Sequence, residues 1–324
     1  MRAWVLLVLM LLGGAGARAA ELVDATGRSV AIPDHVARVL PAGPPAAVLI
    51  AALAPDVMVG WTSALPDASR ALVAPAAAGL PQVPRLTGRA DVTAAIAALK
   101  PDLIVDYGTV SPRYADLART TQQRTGIPTV LLDGALGDIP DVLRKLGAAL
   151  HREARAEALA AFAEAVLALP APATARTVVY ARGADGLTVA APGTDATEVF
   201  ARLGWRPLAP DGAGMFRPAS IAAIGALDPD MLVFSDPHMR EVLAQDEAWR
   251  SVRAVREGHA FVAPSAPFGW VEEPPSINRL LGLAWLGGFD PRLLAALFNS
   301  VVYGHVLTAA QGEAVLAGLH PMQR

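Results

Sequence analysis

The chain has no cysteine among its 324 residues, which removes disulfides, thiolate metal sites, cysteine nucleophiles and attachment of lipid through a cysteine in one step. Lysine is almost missing as well: of 27 Lys and Arg residues only Lys100 and Lys145 are lysines. Arginine is therefore so common that no single one marks a site by itself. Long apolar runs are absent. Trp4–Leu12 is nine residues, a helix of roughly 14 Å against a hydrocarbon core of about 30 Å, too short to span. Later Ala-rich stretches are broken by Pro, Asp, Arg and Glu. The six histidines, at 35, 151, 238, 259, 305 and 320, include no i,i+4 pair and no His-x-His, which argues against a bare transition-metal site built from imidazoles. There is no G-x-S-x-G elbow, P-loop or H-E-x-x-H. The G-x-G at Gly212-Ala213-Gly214 lacks the third glycine of a dinucleotide fingerprint.

What is present begins with an address. Arg2, the apolar run and Ala17-Arg18-Ala19 form an export signal with cleavage before Ala20, so the expected location is the periplasm. The formal charge of −3 becomes about −5 once Arg2 and Arg18 leave with the leader, too mild to imply nucleic acid or an anionic membrane as partner. The remaining length exceeds what one compact core usually holds and favours two lobes.

Short β-branched runs alternate with helical patterns. Strands are expected at Arg38–Leu40, Val57–Trp61, Leu103–Asp106, Thr129–Leu132, Thr177–Ala181, Met231–Ser235 and Ala260–Val262. Helices over Pro45–Leu53, Val92–Leu99, Pro112–Thr125, Asp195–Leu203 and Ser220–Ala226 separate them, the pattern of parallel sheets covered by helices. The spacing predicts an α/β protein of two lobes: leader 1–19, first lobe 20–137, a linking helix over 138–169 and second lobe 170–324. Pro140 to Leu169 contains no further proline and keeps a helical apolar stripe that would run roughly 45 Å as one rod. The alternative is two helices joined near Gly147 to Arg152.

The stretch Pro267-Phe268-Gly269-Trp270-Val271-Glu272-Glu273-Pro274-Pro275-Ser276-Ile277-Asn278-Arg279 packs aromatic, acidic, amide and guanidinium groups into a stiff loop that opens a helix. Ile277, Leu280, Leu281, Ala284 and Trp285 form its apolar stripe. Arg279 lies about 200° round from Ile277 and is expected to point away from that stripe.

The chain resembles the periplasmic solute-binding proteins of ABC importers for iron-siderophore, haem and cobalamin complexes. The resemblance rests on Arg38-Val39-Leu40-Pro41, Leu99-Lys100-Pro101-Asp102 running into Leu103–Gly108, Thr125–Gly134, Leu227-Asp228-Pro229-Asp230 running into Met231–Val233, Val252–Gly258, and the Phe-Gly-Trp and Pro-Pro-Ser-x-Asn-Arg pieces of the loop. It implies two α/β lobes bridged by one long helix, ligand between them, no cofactor of its own, and delivery by a monomeric receptor to an inner-membrane permease with its ATPase. It also implies a docking carboxylate on each lobe. Glu198 is the second-lobe candidate, whereas Ala74–Leu80 lacks the acidic residue expected on the first.

Trp270 and Arg279 lead the ligand-binding candidates, because the helix pattern requires neither there. Glu272 and Asn278 join them from the same loop. Tyr107, just past a strand, offers a phenol to stack, hydrogen-bond or meet iron; alternatively it is a lobe-surface tyrosine. Trp61 is a cleft wall or a cap on the lobe core. Arg85 and Arg89 flank a polar loop where a guanidinium could meet an anionic chelate. His238, beyond a strand, could touch a ligand or act as a base. Asp102 and Asp230 read as turn formers, and Arg182–Gly186 as a hairpin turn. Three functions compete: a receptor for a metal chelate, with a ferric siderophore ahead of haem or a corrinoid; a receptor of the same fold for molybdate or tungstate, held by a helix N-terminus and Arg279; and a chelatase-like enzyme with His238 as base.

Overall fold

The computed structural model describes residues 20–86 and 91–316. The expected leader, residues 1–19, and Arg89 lie outside the described residues. The chain enters through an antiparallel pair, β1 (Ala20–Val23) and β2 (Ser29–Ile32). The first lobe is built on β3 (Val39–Pro41), β4 (Leu103–Gly108) and β5 (Thr129–Asp133), all parallel, with β4 in the centre. β4 reads Leu-Ile-Val-Asp-Tyr-Gly and is buried on both faces up to Gly108, as a central parallel strand must be. The expected strand at Val57–Trp61 survives only as two isolated parallel bridges, Val39 to Met58 and Trp61 to Gln82. The helix Pro44–Leu53 starts with proline at its first positions and buries every residue from Ala46 onward, so it is a core helix.

The second lobe carries a six-stranded sheet of β6 (Thr177–Arg182), β7 (Thr188–Ala190), β8 (Arg206–Pro207), β9 (Phe216–Pro218), β10 (Met231–Phe234) and β11 (Ala260–Val262). β11, β10, β6 and β8 run parallel, while β7 and β9 are antiparallel additions. The aspartates after Pro101 and Pro229 serve the backbone as expected. Asp102 Oδ2 accepts from the Ala37 and Arg38 amides at 2.8 and 2.9 Å, and Asp230 Oδ2 from the Thr177 amide at 2.8 Å.

The link differs from the expected single rod. It is two helices, Ile139–Ala149 and Glu153–Leu167, with the reversal at 150–152. The two pack side by side: a Cβ on Gly147 would sit 2.2 Å from the Ala156 Cβ, and Arg144 of one helix pairs with Glu157 and Glu164 of the other at 2.8 and 2.6 Å. The tie is thus a helix of fifteen residues, about 22 Å long. Leu159, Ala160 and Ala163 of that helix belong to one apolar cluster with Val39 and Leu103 of the first sheet and Val178 and Met231 of the second. The two lobes therefore share this cluster, while each keeps a smaller one of its own, around Leu40, Ile96 and Ile104 in the first and around Ile224, Phe234 and Trp249 in the second.

The last part of the fold sets the floor under the cleft loop. The helix Arg279–Leu286 begins four residues after Pro275 and is buried along its whole length. Gly282 lets it lie directly on the loop, since a Cβ there would meet the Trp270 carbonyl oxygen at 2.3 Å, and the Gly282 amide donates to that oxygen at 3.1 Å.

Candidate functional site

The C-terminal ends of β4 and β6 open toward one cleft of about 670 Å³. In open parallel sheets this is where loops gather around ligands. The first lobe contributes Trp61, Thr62, Asp106, Tyr107 and Tyr114; the second contributes Arg182, Phe216, Phe268, Glu272 and Glu273. The aromatic wall spans both: the Trp61 and Phe268 rings are 5.7 Å apart and tilted, and Phe268 also meets Tyr303 edge-on at 6.4 Å. Trp61 is fixed by its indole N–H, which donates to the Ala77 carbonyl at 2.8 Å.

The charged part of the cleft is organised around Arg182 at the end of β6. Its guanidinium lies over the Phe216 ring at 4.4 Å and reaches Glu273 Oε1 at 2.5 Å and Glu272 Oε1 at 3.1 Å. Glu272 is only 4% exposed, and the Tyr180 hydroxyl sits 3.4 Å from its Oε1. Burial pushes its carboxyl up to about 7, against the pull of Arg182, because desolvation disfavours the ionised form. Across the cleft, Asp106 Oδ1 accepts from the Tyr107 amide at 3.0 Å, while its buried Oδ2 has no partner. Burial raises this carboxyl to about 6. The Thr62 hydroxyl is buried and unpartnered too. Burial holds the Tyr107 phenol neutral, raised to about 12 with Arg279 pulling the other way.

Several expected site residues lie elsewhere. Trp270 has no exposed surface; it packs edge-on to Trp285 at 6.4 Å and donates to the Ala266 carbonyl at 3.3 Å. It is a core residue, since the loop folds its ring inward onto the helix. Arg279 is also fully buried. Its guanidinium pairs with Glu198 Oε2 at 2.6 Å and donates to the Gly134 carbonyl of the first lobe. Arg279 lies off the apolar stripe but is not exposed, because the N-terminal end of this helix faces the other lobe. Glu198, expected at a permease surface, is committed to that pair and accepts from the Leu136 amide at 2.8 Å. Asn278 ties the loop together by donating to the Gly269 and Pro274 carbonyls. His238 is exposed beside Glu241, with Nδ1 3.6 Å from Oε2, and does not line the cleft. Tyr107, Trp61 and Glu272 do line it, as does Arg85.

Asp106, Arg182, Phe216 and Glu273 were not singled out. For Asp106 and Arg182 the signal was there: both stand at the C-terminal end of a parallel strand. The hairpin after Arg182 is real, with the Gly186 amide donating to the Gly183 carbonyl at 3.0 Å, but it aims the preceding arginine into the cleft. Among the described residues no three His, Asp or Glu side chains gather to hold a metal ion, and no helix is long and apolar enough to cross a membrane.

Comparison with known proteins places this architecture. The sequence pattern described as periplasmic binding protein matches residues 80–267, more than half of the chain. None of the curated proteins compared matches the sequence. Among solved structures, an ABC transporter solute binding protein from Sulfurospirillum deleyianum superposes with a TM-score of 0.82 at 21% identity, over 92% of this chain and 99% of that one. The molybdate periplasmic binding protein of Haemophilus influenzae, bound to molybdate, gives 0.67 at 17% identity, over 89% and 99%. A periplasmic heme binding protein from Pseudomonas aeruginosa gives 0.52 at 25% identity, over 84% and 94%. With a family pattern over more than half of the chain and the same fold in solved structures of that kind, the chain belongs to the periplasmic binding protein family.

Proposed function

We propose that this chain is the solute-capturing component of an ABC importer, that it works in the periplasm, and that it takes up a metal chelate and hands it to an inner-membrane permease with its ATPase. One observation carries the reading: a cleft of about 670 Å³ between two lobes, walled by Trp61, Phe268, Phe216 and Tyr114. Its volume lies in the usual range of small-molecule sites, and apolar walls with a few polar groups are what such sites use. Aromatic faces suit the organic shell of a ferric siderophore, a haem or a corrinoid, so the metal arrives inside its own ligand. The oxyanion alternative rested on Arg279, which is taken by Glu198 and Gly134. The chelatase-like alternative rested on His238, which lies outside the cleft.

The test is a binding titration with ferric hydroxamate, haem, cyanocobalamin and molybdate, read by tryptophan fluorescence and calorimetry. Saturable binding of a chelate with quenching that is lost in Trp61→Phe supports the reading. Binding of molybdate alone, or of nothing in the panel, overturns it.

A further inference from the structure

Four carboxylates line the cleft, Asp106, Asp195, Glu272 and Glu273, against two guanidiniums, Arg85 and Arg182. Most of these charges are already used. Arg182 is held by both Glu272 and Glu273, and Asp195 Oδ2 accepts from the Thr109 hydroxyl at 2.7 Å. Arg85 is exposed, where water and salt screen it. Arg279, the cation buried behind the cleft, is neutralised by Glu198. Among the described residues no guanidinium remains deep in the cleft to receive an anion. The acceptor side is different: Asp106 is 7% exposed with an oxygen that no protein group meets, and a buried carboxylate without a donor is costly. Such a group is satisfied by a ligand that brings an N–H of its own.

Resting on the receptor reading above, we propose that the cleft selects cargo of neutral or positive charge that presents amide or ammonium N–H groups, and that Asp106 and Glu272 set this preference. The two carboxylates approach from opposite lobes, at the ends of β4 and of the loop beside β6. A cargo seated between them meets acceptors on both sides, while its apolar body rests on Trp61 and Phe268. An anionic cargo in the same place brings no donor to the unpartnered Asp106 oxygen and meets like charge there, which is how a site rejects a competitor of equal shape.

The experiment uses matched pairs that differ only in charge. One pair is a ferric trihydroxamate with a free ammonium arm and the same chelate with that arm succinylated to a carboxylate. The other is a corrinoid with primary amides round its rim and its hydrolysed, carboxylate-bearing form. Calorimetry on the full chain should show the donor-bearing member of at least one pair binding about tenfold tighter or more, a difference of about 1.4 kcal/mol. Asp106→Asn keeps an oxygen for the Tyr107 amide and should bring the ratio toward one by weakening the donor form and strengthening the carboxylate form. Glu272→Gln keeps an acceptor for the Tyr180 hydroxyl and gives an independent second measurement should the first variant fold poorly. Carboxylate members binding as tightly as their partners, or an unchanged ratio in both variants, would overturn the charge preference and leave the receptor reading standing. No binding by any member of either pair, with haem also inert, would remove both.

Discussion

The Arg279 guanidinium has no exposed surface, and the protein answers it with one carboxylate and the carbonyls of Gly134 and Asp195. Glu198 and Arg279 both belong to the second lobe, yet the Gly134 carbonyl and the Leu136 amide that complete the cluster belong to the first. The ion pair is therefore part of the seam between lobes. Removing one partner of a fully buried pair costs about 3–5 kcal/mol, because the other charge is left uncompensated. Here Glu198 retains 32% of its side-chain surface, so Arg279→Met should lower stability by about 2–3 kcal/mol in urea or thermal unfolding. Ligand affinity in the variant that still folds should change little. An affinity loss larger than the stability loss would return Arg279 to the binding site. Why the sequence misplaced this residue is physical. A polar side chain opposite an apolar stripe is exposed only when the helix has one buried face, and Arg279–Leu286 is enclosed all round. Trp270 was misread for the companion reason: nothing in its neighbours' pattern shows that the ring turns onto Trp285. Asp106, by contrast, was legible from its position at the end of a buried strand.

At the scale of elements the sequence was more informative. Short β-branched runs and 3.6-residue spacing placed β4, β5, β6, β10 and β11 and the five expected helices within a residue or two, since most are bounded by proline, glycine or a left-handed residue such as Lys100 at φ 47°. The linker defeated this approach, because an apolar stripe that continues through 138–169 is equally served by one rod or by two helices folded on each other. Gly147 decides between them by contact. With 2.2 Å between its would-be Cβ and the Ala156 Cβ, any larger side chain must push the helices apart. Gly147→Val should cost about 1–3 kcal/mol through overpacking, offset only by the few tenths of a kcal/mol, roughly, that valine gains over glycine in helix propensity. The change would appear as a lower melting temperature. A Gly147→Ala variant that shows the full gain of about 1 kcal/mol that alanine brings over glycine in a helix would mean that the close packing of the two helices is absent in solution.

For the whole molecule the seam and the cleft act together. Thr109 to Asp195, Ser69 to the Pro267 carbonyl at 2.8 Å and Ser276 to the Pro45 carbonyl at 2.9 Å hold the lobes across a shared core, so the cleft is preformed and closure can only be small. A preformed cleft keeps Asp106 and Glu272 buried whether or not cargo is present, and this makes stability depend on pH with a definite sign. Both carboxyls are raised by burial, to about 6 and about 7, above their values in an unfolded chain. Each therefore favours folding fully below the unfolded value, and that contribution is lost as pH rises through the folded one. Asp24, held low by hydrogen bonds from Thr26 and Arg28 against desolvation, and Asp230, held low mainly by Thr177, act oppositely, but only as pH falls below about 4. Between pH 8 and pH 5 the raised pair governs, and the chain without cargo should gain on the order of 2–4 kcal/mol. Glu272 supplies the larger share, facing Arg182, Glu273, Arg279 and Tyr180; Asp106 faces only the Tyr107 amide. Differential scanning calorimetry from pH 8 to pH 5 should show the melting temperature rising. Glu272→Gln should flatten most of that rise and Asp106→Asn the remainder. A flat profile in the unaltered chain would mean that the two side chains are solvated, and the cleft would then be open and mobile instead of preformed.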